Sequence, residues 1–255
     1  MIDTHIHLNF EEYIDDLERC ISEAVSSGID KMIVIGIDKT SSEYAINLAE
    51  QYPNLYASVG VHPSEFSEST SFIKNLLDHP KVVAIGECGL DFYYDSDNKE
   101  RQIEIFREQI ELSIKFKKPI IIHSRGAVRE CIDIIKSYNE NINGVFHCFG
   151  GSISQAKEIT NMGMFIGING PVTFKNAINA KKIAKDVDVK FILTETDGPY
   201  LSPEPYRGRR NVPKNIKYII KSISEIKKMS INEVDKITTN NAFKLFNLEE
   251  EKWRE

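Results

Sequence analysis

Eight short runs of apolar and β-branched residues, each separated from the next by a longer amphipathic stretch, limit the architecture of this chain more than any other feature. They are MIDTHIH at the start, KMIVIGI (31–37), LYASVGV (55–61), VVAIGEC (82–88), PIIIHS (119–124), GVFHCF (144–149), MFIGIN (164–169) and KFILTET (190–196). Their near-continuous hydrophobicity marks strands covered on both faces, as parallel sheets require. The stretches between them carry the helical period. Residues 10–28 put Tyr13, Ile14, Leu17, Ile21 and Val25 on one face and stop at Gly28, and residues 98–118 do the same with Ile103, Phe106, Ile110 and Ile114 ahead of Pro119. Two more helices are expected near 213–229 and 231–246. Strand–helix alternation of this length in 255 residues predicts an α/β fold, a (β/α)8 TIM barrel, with an extra C-terminal helix. No linker or duplicated half interrupts it, so residues 1–255 are read as a single domain. A doubly wound open sheet is the alternative, but no GxGxxG follows the first strand.

Hydrophobic residues make up 41% of the chain, and the mean hydropathy is −0.30, which fits a soluble protein with a sizeable core. No apolar run approaches the roughly 18 residues of a membrane span. No basic and apolar leader precedes the first strand, and Cys20, Cys88, Cys131 and Cys148 form no CxxC pair. Reduced, packed thiols in a cytoplasmic protein are therefore expected. The net charge of −6 excludes a long electrostatic groove coating nucleic acid. It leaves room for an enzyme that holds one phosphate at a time beside a metal.

In a barrel of this kind the functional residues sit at the C-terminal ends of the strands. His5 and His7 close the first run and share a face. Glu87 closes the fourth, His123 the fifth, His147 lies in the sixth, and Asp197 follows the eighth. Singly, each has an ordinary structural role open to it: a bonded core histidine, an ion-pair partner, a turn residue before Gly198-Pro199. Together they would crowd six ionisable groups into one barrel mouth without partners, which is costly. Metal ions resolve that cost, because they bind neutral imidazole and ionised carboxylate. The set exceeds the needs of one tetrahedral ion. Two divalent ions about 3.5–4 Å apart are expected, bridged by Glu87 and a water or hydroxide. His5, His7 and Asp197 would hold one ion, His123 and His147 the other. The mixed nitrogen and oxygen shell favours Zn, Mn or Co over Mg.

The segments DTHIH, GVHP, IGECGLDFYYD, IIHSRGA, FHCFGGS and ETDGPYLSPEPYRGRRNVP resemble the TatD family of metal-dependent deoxyribonucleases. The likeness runs in order from residue 1 to about residue 215. It implies a barrel of the amidohydrolase-like superfamily that cleaves phosphodiester bonds in DNA, as an exonuclease or at damaged sites, with zinc or magnesium. It carries the metal ligands onto the same six residues. The family commonly reads ETDSP, and here Gly198 replaces the serine, leaving the ligand intact and the fate of a local hydrogen bond open.

The chemistry so implied needs an activated water, neutralised phosphoryl oxygens and a stabilised leaving alkoxide. Two dications with two carboxylates leave about +2 of charge, enough to draw a phosphate to an acidic protein. Asp197 is expected to accept the water's proton, with Glu87 as the bridge. His62, at the end of the third run, is a candidate substrate contact. So is Arg125, with a surface ion pair as its alternative. Arg207, Arg209, Arg210 and Lys214 follow the eighth run, where barrels often bind phosphate; Arg207 and Arg209 are the expected contacts. Tyr93 and Tyr94 are expected to pack their loop rather than stack on bases, and Asp3 and Glu195 to hydrogen-bond the histidines from behind. The substrate is expected to be DNA, single-stranded or at an end, with no membrane and no obligate protein partner. Two other functions compete: a binuclear amidohydrolase or small phosphoesterase on the same barrel, and a non-catalytic binding scaffold. Lys81 lies at the wrong end of its run to become a bridging carboxylated lysine.

Overall fold

The computed structural model describes residues 1–248, and all eight expected strands are present. They are β1 (Ile2–Ile6), β2 (Lys31–Ile35), β3 (Leu55–Val59), β4 (Val82–Asp91), β5 (Ile120–Arg125), β6 (Gly144–Phe146), β7 (Phe165–Ile168) and β8 (Ile192–Thr194). They form one parallel sheet in the order β1 to β8. The helices between and after them are α1 (Leu17–Ser26), α2 (Lys39–Gln51), α3 (Ile73–Leu76), α4 (Lys99–Phe116), α5 (Val128–Lys136), α6 (Ile153–Asn161), α7 (Ile178–Asp186), α8 (Ile216–Lys227) and α9 (Ile231–Phe246). This is the (β/α)8 barrel the alternation predicts, with α9 as the extra helix. Among the described residues no helix is long and apolar enough to cross a membrane.

Strand alternation sorts the apolar side chains into two cores. Met32, Val34, Ile120, Ile122, Phe146 and Ile166 face outward and pack against helix residues such as Phe106, Ile110, Ile132 and Ile219. Ile33, Ile121, Val145, Phe165 and Leu193 cluster instead with Ala242, Leu245 and Phe246 of α9. The extra helix thus seals the N-terminal end of the barrel. Asn241 fastens it there, donating from Nδ2 to the carbonyls of Val189 and Ile192 at 2.9 and 2.8 Å. Two residues further along the strands, the same alternating positions carry His123, His147, Gly167 and Glu195. The apolar floor and the polar mouth are successive layers of one pattern.

The seam between β1 and β8 closes at the polar end. The Asp197 amide donates to the His5 carbonyl at 2.9 Å, and the His7 amide to the Gly198 carbonyl at 2.8 Å. Thr4 Oγ1 donates to the Thr194 carbonyl at 3.1 Å. Barrel closure is therefore what carries Asp197 to the two histidines of the first strand.

Some expectations need correction. The stretch 10–28 is not one helix but a 3-10 turn at Glu11–Tyr13 followed by α1. The break at Asp15 and Asp16 resets the helical phase, so Ile14 is 65% exposed and Val25 41%. Tyr13, Cys20, Ile21 and Ala24 take the buried face instead. His7, His62, His147 and Asp197 stand just beyond their strands, whereas β4 runs on to Asp91. The four cysteines are free thiols, with Cys20, Cys88 and Cys131 buried and Cys148 half-buried.

A candidate metal centre at the barrel mouth

Glu87 sits at the middle of the mouth, and its two carboxylate oxygens face different histidines. Oε2 lies 3.3 Å from His5 Nε2 and 3.8 Å from His7 Nε2. Oε1 lies 2.9 Å from His123 Nδ1, 2.9 Å from His147 Nε2 and 3.7 Å from His62 Nε2. On the first side, His5 Nε2 and His7 Nε2 are 3.3 Å apart, and Asp197 Oδ1 is 3.7 Å from each. Ligands about 2.0–2.1 Å from a tetrahedral ion lie about 3.3 Å from one another. The four donor atoms on this side therefore have nearly the spacing of a cation's coordination shell.

The protonation pattern divides: burial lowers His123 and His147, but Asp91 and Glu87 beside the first and Glu87 and Glu195 beside the second outweigh it and raise both. Burial is the largest effect on His7 and His62 and pushes both down to about 3, so both imidazoles are neutral with lone pairs to offer. Burial alone would raise Glu87, but His147, His5 and His62 outweigh it and carry this carboxyl well below its usual range. Asp197 moves the other way, pushed up to about 6 chiefly by burial. His5 Nδ1 and His7 Nδ1 are buried without hydrogen-bond partners. The donor set thus fits divalent metal ions.

Each further side chain has a defined place. His62, expected to touch substrate, joins Glu87 and His123 in a group whose ligand atoms lie within 4.8 Å of one another. Glu195 Oε1 takes the Cys148 amide at 2.6 Å and lies 3.4 Å from His147 Nδ1, so its expected role behind that ring has a contact to rest on. Gly167 makes room for it, since a Cβ there would meet Glu195 Oε2 at 2.5 Å. Asp3 differs from expectation. It accepts from Thr196 Oγ1 at 2.5 Å and from the Thr196 amide at 2.9 Å, and contacts His5 only through the backbone amide.

Two residues at the mouth carry no expectation from sequence. Asp91 Oδ2 lies 3.0 Å from His123 Nε2, and Phe10 stacks on the His7 ring with centroids 4.5 Å apart. A signal for Asp91 does exist in the sequence: Glu87, Gly89 and Asp91 alternate along one long strand.

The basic residues divide. Arg210 pairs with Asp16 at 2.7 Å and Lys214 with Glu23 at 2.5 Å, so both brace the loop after β8 against α1 and its approach. Of the four basic residues in this loop, these two spend their charges within the fold. Arg207 lies over the Phe174 ring at 4.2 Å, and Arg209 is exposed. Arg125 makes no ion pair among the described residues; its guanidinium lies 4.4 Å from the ring centres of both Tyr93 and Tyr94. Those rings are exposed rather than packed, which corrects the reading of them as loop packing. Lys81 donates to the Pro53 and Leu55 carbonyls at 3.3 and 3.2 Å, far from the mouth.

Comparison with known proteins agrees with this geometry. A family model described as TatD related DNase matches residues 2–247. A relative from Bacillus subtilis, described as an uncharacterised metal-dependent hydrolase, is 41% identical over 97% of this chain and 99% of its own. Among solved structures, a TatD homologue from Escherichia coli superposes with a TM-score of 0.91 at 29% identity, covering 98% of both chains. A TatD-family hydrolase from Entamoeba histolytica gives 0.87 at 25%, covering 96% of this chain and 97% of its own. Sequence and barrel agree over almost the whole length, and the chain belongs to the TatD family of metal-dependent hydrolases.

Proposed function

We propose that this hydrolase cleaves phosphodiester bonds in DNA, removing nucleotides from a strand end, at a centre of two divalent ions. The observation that carries the reading is the division of Glu87: one oxygen faces His5 and His7, the other His123, His147 and His62. A single carboxylate shared between two nitrogen sets is what a bridged pair of cations requires. His5, His7 and Asp197 would hold one ion, and His123 with His147 the other.

When bound, such ions supply Lewis-acid stabilisation of phosphoryl oxygens and acidify the attacking water. The chain's own groups do the rest. Asp197 accepts the water's proton, and its burial favours a carboxyl that can hold one. The neutral rings of His7 and His62 add no charge of their own to the site. His62, at the open side of Glu87, orients the phosphate or its leaving oxygen. The family description as a DNase and the unpaired guanidinium of Arg125 support a nucleic-acid substrate. The position of Lys81 disfavours the carboxylated-lysine alternative.

The test is digestion of a short 5′-labelled oligodeoxynucleotide with Mg, Mn or Zn, alongside metal counting on the purified protein. Progressive loss of terminal nucleotides, two ions per chain and inhibition by a chelator are expected. Turnover of small esters or amides without any cleavage of DNA, whichever metal is supplied, would remove the nuclease reading.

A further inference from the structure

Resting on the nuclease reading, we propose that Tyr93, Tyr94 and Arg125 form a nucleotide subsite beside the metal centre. A base of the single strand stacks on the tyrosine rings, and a neighbouring phosphate pairs with the guanidinium. Three observations place it there.

Tyr93 and Tyr94 are 68% and 73% exposed. Their rings meet edge to face, 5.0 Å apart at 86°, and Arg125 covers both at 4.4 Å. Aromatic faces backed by a guanidinium are the usual platform for unpaired bases, which bind by stacking whatever their identity. Arg125 has no carboxylate partner among the described residues, whereas Arg210 and Lys214 in the loop after β8 are paired with Asp16 and Glu23. Nearby Asp95 is turned inward, accepting from the Asp97 and Asn98 amides.

The platform is also tied to the catalytic geometry. Arg125 follows His123 by two residues on the same strand face, about 6.6 Å along it, a reach that one extended nucleotide spans. Asp91 bonds His123 through Oδ2 and holds the Tyr93 and Tyr94 amides through Oδ1, each at 3.0 Å. A base stacked on these rings is thereby registered against His123, one of the side chains that would hold the ions. The occupant this arrangement fits is an unpaired nucleotide.

The test compares KM for a short single-stranded oligodeoxynucleotide with KM for versions lacking one base at each position in turn. In the wild-type protein, removal of one particular base should raise KM about tenfold. The Tyr93→Ala/Tyr94→Ala variant should lose that discrimination and treat intact and abasic strands alike, whereas Tyr93→Phe/Tyr94→Phe, which keeps the ring faces, should retain it. Arg125→Gln should raise KM for intact and abasic strands by the same factor. A wild type indifferent to every base, or an alanine variant with undiminished discrimination, overturns the subsite alone. A wild type that hydrolyses methyl p-nitrophenyl phosphate but cuts no oligonucleotide overturns the nuclease reading and the subsite with it.

Discussion

Asp91 holds His123 from behind, with Oδ2 3.0 Å from Nε2, and so decides which imidazole nitrogen is free. A carboxylate only accepts, so the ring donates from Nε2 to Asp91 and from Nδ1 to Glu87 at 2.9 Å, and Asp91 keeps the Nε2 proton in place where a cation would take Nδ1. That is the tautomer a metal requires of this ring. Asp91→Asn can turn an amide donor toward Nε2 and move the proton to Nδ1. Metal affinity should then fall about 10- to 100-fold with the fold unchanged. Isothermal titration with Zn or Mn reads the loss directly, and an unchanged affinity would free His123 from this control.

Asp197 is the residue to test for proton transfer, and its backbone decides how. Its φ of 58° is left-handed, a conformation that asparagine accepts far better than most residues. Asp197→Asn should therefore fold and melt close to wild type, while kcat falls at least about 10²-fold. Thermal melting and turnover measured together separate the two effects. Near-normal turnover would remove Asp197 from the chemistry.

The barrel and the six converging side chains were legible because both follow from local pattern. Strand alternation places His123 and Glu195 two residues beyond Ile121 and Leu193 whatever the surroundings, and barrel topology gathers the strand ends. What stayed hidden depends on partners remote in the chain. Arg210 and Lys214 looked free because Asp16 and Glu23 lie 194 and 191 residues away. The phase of α1 was misread because the break at Asp15 and Asp16 lies inside an apparently continuous apolar stripe. Exposure of Tyr93 and Tyr94 is a property of a loop path, on which aromatic residues carry no period.

Metal should stabilise the native barrel, because the donor cluster exists only in the folded state. Added at about 100 times its dissociation constant, a bound ion contributes about 2.7 kcal/mol. Treatment with a chelator should lower Tm and addition of Zn or Mn restore it. His5→Ala should abolish most of that response while leaving an intact barrel. A melting temperature indifferent to metal would show that no such coupling exists.

The brace between Asp16 and Arg210 gives a pH signature away from the mouth. The guanidinium, bonded through both nitrogens at 2.8 and 2.7 Å, holds this carboxyl down to about 2. A group whose folded pKa is depressed stabilises above its unfolded pKa, about 3.9, and loses that contribution as pH falls through the folded value. Asp16→Asn should therefore be less stable than wild type at pH 7 by no more than about 1 kcal/mol, since the pair lies at the surface within reach of solvent. The difference should shrink below about pH 4 and vanish near pH 2. Denaturant midpoints across that range check it; a gap that widens on acidification would contradict the assignment.

Gly198 stands where the TatD resemblance leads one to expect a serine, and Tyr13 occupies the space its side chain would need. Tyr13 is fully buried, and its hydroxyl donates to the Asn211 carbonyl at 2.7 Å. A Cβ at position 198 would meet that hydroxyl oxygen at 2.5 Å and Ile6 Cδ1 at 3.3 Å. The missing side chain is thus the space that the phenol occupies, and the phenol ties the approach to α1 to the loop beyond β8. Gly198→Ser alone should cost about 1–3 kcal/mol by overpacking. Tyr13→Phe alone should cost about 1–3 kcal/mol by leaving the Asn211 carbonyl unsatisfied. Combined, the two changes should cost less than their sum by at least about 0.5 kcal/mol, since Phe removes the atom that serine would strike. Strict additivity in urea unfolding would mean that residues 13 and 198 do not share this space.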